Sequence, residues 1–218
     1  KIAKSAEKNQ FARKILSDLR VLCGEIAFMA ENFRMFLKIS DFITYYSRGW
    51  VALLGLVIFL LFTALVLPSQ AAKSATVENV GTPDLSLWYS PGELYQMAEG
   101  YGEQGRRDYI QARLRFDIVW PLVYTFFLAT SLSWLFGHSA VAGSLWRYAN
   151  LAPLIAMLLD FCENISTSLV MHHYPASSPV MATLAPIFTL LKWIFVSGSF
   201  VLLLIGGWLV IKRRAPNS

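Results

Sequence analysis

The sequence is short of charge: 15% of its 218 residues are Asp, Glu, Lys or Arg, while 56% are hydrophobic. A soluble domain of this size carries roughly a quarter charged residues. Too little polar surface is available to cover the chain in water, which argues against an ordinary soluble globule and for a lipid-facing exterior. Cysteine is nearly absent too. Cys23 and Cys162 fall in separate helical stretches expected at different depths, and no Cys-x-x-Cys spacing occurs. Neither a disulfide framework nor a thiolate metal site is therefore expected. Internal repeats, low-complexity tracts and nucleic-acid motifs are missing. The first 40 residues contain no short apolar core followed by a small-residue cleavage site, so no signal peptide is expected.

The formal net charge is +5, but its placement says more than its size. Nine of the 19 Lys and Arg residues precede Gly49, and Lys212, Arg213 and Arg214 close the chain. This is charge flanking a membrane, not a face that reads nucleic acid.

What is abundant is long apolar sequence. Gly49 to Pro68 is 20 residues without a charge, about 30 Å as a helix, the thickness of a bilayer's hydrocarbon core. Further spans are expected at 117–137, 151–171 and 182–211. The last is too long to cross straight and must tilt, kink at Pro186 or begin as a surface segment. Within lipid every backbone polar group needs an internal partner, so these spans should be helices. The expected fold is an all-α integral membrane protein, a four-transmembrane-helix bundle preceded by an N-terminal amphipathic interfacial helix.

Basic residues before span one, Arg147 between spans two and three, and the basic tail 212–218 contrast with 172–181, which has no Lys or Arg. Orientation by the positive-inside rule puts both termini and the 138–150 loop in the cytoplasm. The 69–116 and 172–181 connections are then extracytoplasmic. Trp50, Trp120, Trp134, Trp146 and Trp208 fall near expected span ends, as an aromatic belt requires.

Within residues 1–48, Phe11, Ile15, Leu19, Leu22, Ile26, Met29, Phe33 and Phe36 recur at steps of three or four, with Arg13, Lys14, Arg20, Arg34 and Lys38 off that stripe. Such a basic amphipathic helix suits an anionic leaflet surface. The second reading of the same face, at about residues 10–40, is docking on another membrane-protein subunit, with the first outer loop as a second contact; a solvated arm is the bland reading. In the first loop, Ser90-Pro91-Gly92-Glu93 has the form of a capped helix start. A short helix to about Glu99 and a second from about Gly105 into span two are expected.

Gly100-Tyr101-Gly102-Glu103-Gln104-Gly105 matches G-x-G-x-x-G, but no strand precedes it, and the dinucleotide mechanism needs a strand-turn-helix context. A turn between helices is the better reading. Arg106 and Arg107 in a first helical turn, with Tyr109 and Arg113 below, are candidate contacts for an anion such as a lipid head group. The sequon at Asn164 lies inside a span and is discarded. His172 and His173 are adjacent on a helix and point to different sides, so they are read as interfacial anchors; no metal site and no cofactor is indicated.

The third span carries the main chemical signal. Asp160, Glu163, Asn164 and Thr167 are spaced i, i+3, i+4 and i+7 and share one helical face. A carboxylate at the bilayer centre costs at least about 2.5–3.5 kcal/mol, so this face should turn into the bundle. The bland alternative is a structural polar network joining helices. Lys192 has two readings: paired with Glu163 at similar depth, or snorkelling at the interface if span four starts at Trp193. Asp117 and Tyr124, two turns apart on span two, complete a candidate intramembrane polar pocket of Asp160, Glu163, Asn164, Thr167, Lys192, Tyr124 and Asp117. The function this suggests is binding of a small amphiphile or lipid head group. The alternative is an accessory or assembly subunit of a larger membrane complex whose carboxylates are structural. Proton-coupled transport or intramembrane catalysis is a weaker third reading, and nothing singles out a catalytic residue.

Overall fold

The computed structural model describes residue 31 and residues 34–68, 81–83, 86–139 and 145–214. The chain separates into two compact units, residues 1–42 and 43–218. Of the first unit, residues 34–42 are described and are helical. The amphipathic stripe expected at residues 10–40 otherwise lies outside the described residues, as do 69–80 of the first loop and 140–144 of the second.

In the second unit the elements run α1 (Gly49–Leu65), α2 (Pro91–Gly100), α3 (Gly102–His138), a 3-10 turn (Leu145–Asn150), α4 (Leu151–His173) and α5 (Pro179–Arg214). Among the described residues every regular element is helical. Three stretches among the described residues are long and apolar enough to cross a membrane: Gly102–His138, Leu145–His173 and Pro179–Arg213. A fourth is reached only if Gly49–Leu65, at 17 residues, is counted together with the helix Arg34–Tyr46 before it.

The burial pattern is inverted relative to a soluble protein. Leu204, Trp208 and Ile211 of α5 and Leu53, Leu60, Leu61 and Leu65 of α1 are exposed, whereas Asp160, Glu163, Asn164, Thr167 and Lys192 are buried. Exposed Leu with buried charge is unfavourable in water and favourable in hydrocarbon, where the lipid covers the apolar faces. The structure therefore supports a membrane-spanning protein.

α1 is apolar all round and has a single close seam. A Cβ on Gly55 would meet Phe127 Cα at 3.0 Å, so glycine is what lets the backbones of α1 and α3 approach. Around that seam Phe59 stacks on Trp120 and Phe127 with centroids 5.7 and 4.9 Å apart, and Phe62 stacks on Phe116 and Trp120 at 5.7 and 5.5 Å.

The capped start at Ser90 forms as the sequence suggests. Glu93 N donates to Ser90 Oγ at 3.2 Å, Ser90 N donates to Glu93 Oε2 at 2.6 Å, and Pro91 takes the first helical position. These bonds hold the exposed Glu93 carboxyl below its ordinary pKa. α2 then lies over one end of the bundle. Leu94 and Ala98 pack with Tyr89, Tyr101, Tyr109, Val170, Met171, Ala182 and Ala185, and Tyr95 Oη accepts from Ser178 N at 2.7 Å.

One boundary is corrected, and the run of the loop helix into span two is seen as expected. The second loop helix begins at Gly102, whose φ of +62° is a left-handed conformation glycine adopts without strain, and Gly105 lies inside it. The loop helix and span two are thus one 37-residue helix, and the G-x-G-x-x-G run is the turn between α2 and α3 plus the first residues of α3. Residues Pro179–Arg214 form one continuous helix of 36 residues through Pro186.

Candidate functional site

The polar cluster is built by α3, α4 and α5, near the α2 end of the bundle. On α4 the i, i+3, i+4, i+7 spacing puts four polar side chains inward, and the opposite face carries exposed Leu158, Cys162 and Ile165. Glu163 is fully buried, and Asp160, Asn164 and Thr167 are 7%, 6% and 0% exposed.

Lys192 of α5, 7% exposed, points into the cluster. Its Nζ lies 2.5 Å from Glu163 Oε2 and 3.6 Å from Asp160 Oδ1. Of the two sequence readings, the structure shows the pair rather than the snorkel. The Trp193 ring lies 5.5 Å from the same ammonium. Asp160 collects three partners in all: Tyr124 Oη donates to Oδ2 at 3.2 Å, and Asn164 Nδ2 donates to Oδ1 at 3.3 Å beside Lys192. Thr167 donates to Glu163 O and Asn164 O and lies near the Tyr109 hydroxyl, so it holds the helix and lines the cluster.

Two and three turns along α3 from Tyr124, Asp117 and Arg113 pair at 2.5 Å, each side chain 13% exposed, and the Arg113 guanidinium lies over the Tyr109 ring at 4.4 Å. Both lie within electrostatic reach of Asp160, and Arg113 also of Glu163. The structure thus brings Tyr109, Arg113, Asp117, Tyr124, Asp160, Glu163, Asn164, Thr167 and Lys192 into one interior network.

Arg106 and Arg107 are not in it. Arg106 Nη1 donates to Ala98 O at 2.8 Å and its guanidinium stacks on Tyr174 at 4.9 Å, which ties α3 to the end of α2 and to the α4–α5 turn. Arg107 pairs with Glu103 one turn back, on the surface. The four residues read as anion contacts therefore separate, with Tyr109 and Arg113 inside and Arg106 and Arg107 at the bundle's end.

Two residues that sequence reasoning missed complete the site. Thr189, fully buried and three residues before Lys192 on the same face, donates to Ala185 O at 3.0 Å and meets Tyr89 Oη at 3.2 Å. Its spacing from Lys192 was a usable signal. Tyr89, 2% exposed, arrives from the loop before α2, where no periodicity marks an inward residue. Burial pushes its hydroxyl well above the ordinary tyrosine range, and pushes Tyr101, which donates to Gly81 O at 2.8 Å, up to about 12. Both therefore act as neutral hydrogen-bonding groups.

Several buried polar atoms lack a hydrogen bond within the protein, among them Asn164 Oδ1, Glu163 Oε1, Ser168 Oγ and Trp193 Nε1. No group of three or more His, Cys, Asp or Glu side chains among the described residues is arranged to hold a metal ion. Compared with known protein families, curated proteins and solved structures, the chain matches none.

Proposed function

We propose that this chain is a four-span membrane protein that binds a small amphiphile or lipid through its head group, which the α3–α4–α5 cluster receives. In this reading α1 is the fourth span, both termini are cytoplasmic, and the α2 end faces outward, following the distribution of Lys and Arg. The observation that carries it is the five-charge cluster of Arg113, Asp117, Asp160, Glu163 and Lys192, enclosed in a bundle whose exterior is apolar. Burying so many charges is expensive, and a hydrophobic core of the same volume is often as stable or more so. In membrane helices such residues more often mark a ligand or ion path than a structural choice.

Asp160 and Glu163 supply the charge, Tyr124 and Asn164 orient Asp160, and Lys192 sets the spacing of the two carboxylates. Native mass spectrometry of the full chain released from gently solubilised membranes tests this. Wild type should carry a bound small molecule, and Asp160→Asn and Glu163→Gln should lose it while remaining folded monomers. A wild-type spectrum without any retained molecule sinks the proposal.

A second reading, an accessory subunit of a larger complex, draws on the ion pairs themselves: Lys192–Glu163 and Arg113–Asp117 hold each other, as a structural network would. It requires partner chains that co-purify and that depart when residues 10–40 are deleted.

A further inference from the structure

Resting on the proposed head-group site, we infer that its ligand is a protonated amine bearing N–H donors, a primary or secondary ammonium carried by an apolar chain. Two independent observations point to this chemistry. The first is charge: counted as ionised, the carboxylates of Asp117, Asp160 and Glu163 outnumber the cations Arg113 and Lys192 by one among the described residues. A buried uncompensated charge is costly, and a ligand bearing one positive charge removes that cost.

The second is an unpartnered acceptor beside the carboxylates; the donors Tyr109 Oη, Ser168 Oγ and Trp193 Nε1 are also without a hydrogen bond. Asn164 is 6% exposed, and its Oδ1 has no hydrogen-bond partner. Its orientation is fixed because the amide nitrogen faces Asp160 Oδ1, which only accepts. Glu163 Oε1 is likewise without a hydrogen bond. The Thr189 hydroxyl lies beside this carboxylate and within hydrogen-bond distance of Ala185 O and Tyr89 Oη, so Asn164 Oδ1 is the acceptor that carries the argument. Asn164 and Glu163 both belong to this cluster through Asp160 and Lys192, so an unpartnered acceptor and an excess of carboxylates occur together. A group satisfying both must be cationic and must donate.

An anionic head group would add to the surplus charge, and a neutral alcohol would leave it in place. A quaternary ammonium would neutralise the charge but offers no N–H. Arg113 and Lys192 already lie against the Tyr109 and Trp193 rings, so these rings are engaged by resident cations.

The test uses the purified full chain in a neutral maltoside detergent, with thermal unfolding followed against concentration of five probes: decylammonium, decyltrimethylammonium, decanol, decyl phosphate and ethylammonium. The expected result is a saturable rise in midpoint with decylammonium at concentrations at least about tenfold lower than with the trimethyl or alcohol analogues, from donation to buried acceptors. Asn164→Ala, which leaves every ion pair in place, should weaken decylammonium about tenfold. Glu163→Gln should abolish the effect.

Equal potency of decanol or decyltrimethylammonium would overturn the ammonium inference while leaving amphiphile binding standing. A stronger response to decyl phosphate would overturn it in the same way. Saturable binding of ethylammonium as tight as decylammonium would keep the ammonium chemistry but overturn the apolar chain, and with it the amphiphile reading. No saturable response to any probe would overturn both the inference and the reading it rests on.

Discussion

Replacing Lys192 by Met should be the most destabilising single change in the cluster, and removing Glu163 together with it should restore much of the loss. At an effective dielectric of about 20, the attraction across 2.5 Å to Glu163 is about 7 kcal/mol, and across 3.6 Å to Asp160 about 5 kcal/mol, before desolvation is subtracted. Lys192→Met strands both carboxylates and raises the surplus to two negative charges, for which a net cost of about 3–5 kcal/mol is expected. Glu163→Gln has the opposite bookkeeping: Lys192 keeps Asp160, the five-charge cluster becomes neutral, and the cost should stay near 1–2 kcal/mol. The double variant carries the same surplus as wild type, so it should lie about 2 kcal/mol above Lys192→Met in stability. Equilibrium unfolding by SDS titration in mixed micelles, followed by tryptophan fluorescence, gives all four free energies in one cycle. Equal destabilisation by Lys192→Met and Glu163→Gln, or a double variant no more stable than Lys192→Met, would refute the reasoning.

Other outcomes follow from single contacts. Tyr124→Phe removes the 3.2 Å hydrogen bond to Asp160 Oδ2 and should cost about 1.5–3 kcal/mol in the same unfolding assay. Gly55→Val places branched carbon against Phe127 Cα, where even a Cβ would stand at 3.0 Å; a loss of about 1–3 kcal/mol is expected, read as a lower thermal midpoint. Ser90→Ala should cost about 1 kcal/mol through the lost cap and speed amide exchange in residues 91–95. Because the cap depresses the Glu93 pKa, its contribution is present above the unfolded carboxyl's value, roughly 4.3, and fades as pH falls below it. Exchange in the first turn of α2 should therefore quicken, relative to the intrinsic rate, between pH 6 and roughly pH 3, and a pH-independent protection factor would contradict this.

Helicity and the existence of long apolar spans were legible in the sequence because an uncharged run of 20 residues leaves the backbone few options. The boundaries were less so. Gly102 and Gly105 are both plausible helix openers on composition, and only a positive φ separates them. Pro186 marked a possible kink, and the helix runs on through it. The inward face of α4 could be read because its polar residues recur at helical spacing and their cost in lipid fixes the direction they face. Thr189 went unread because a lone threonine on an apolar helix carries no such penalty. Tyr89 went unread because a loop has no period from which to infer direction. Arg106 and Arg107 looked equivalent in sequence, but Arg106 finds a backbone carbonyl and a tyrosine ring, whereas Arg107 finds an acid one turn away on the surface.

The central claim is that α4 turns its acids inward and shows lipid its other face. A hydrophobic diazirine dissolved in the bilayer and activated by light tests it without any mutation, since carbenes insert into whatever side chain they touch and carboxylates are good targets. Residue-level mass spectrometry of the reconstituted protein should find label on Leu158, Cys162 and Ile165 and none on Asp160 and Glu163. Label on Glu163 at the level of its neighbour Cys162 would contradict the claim.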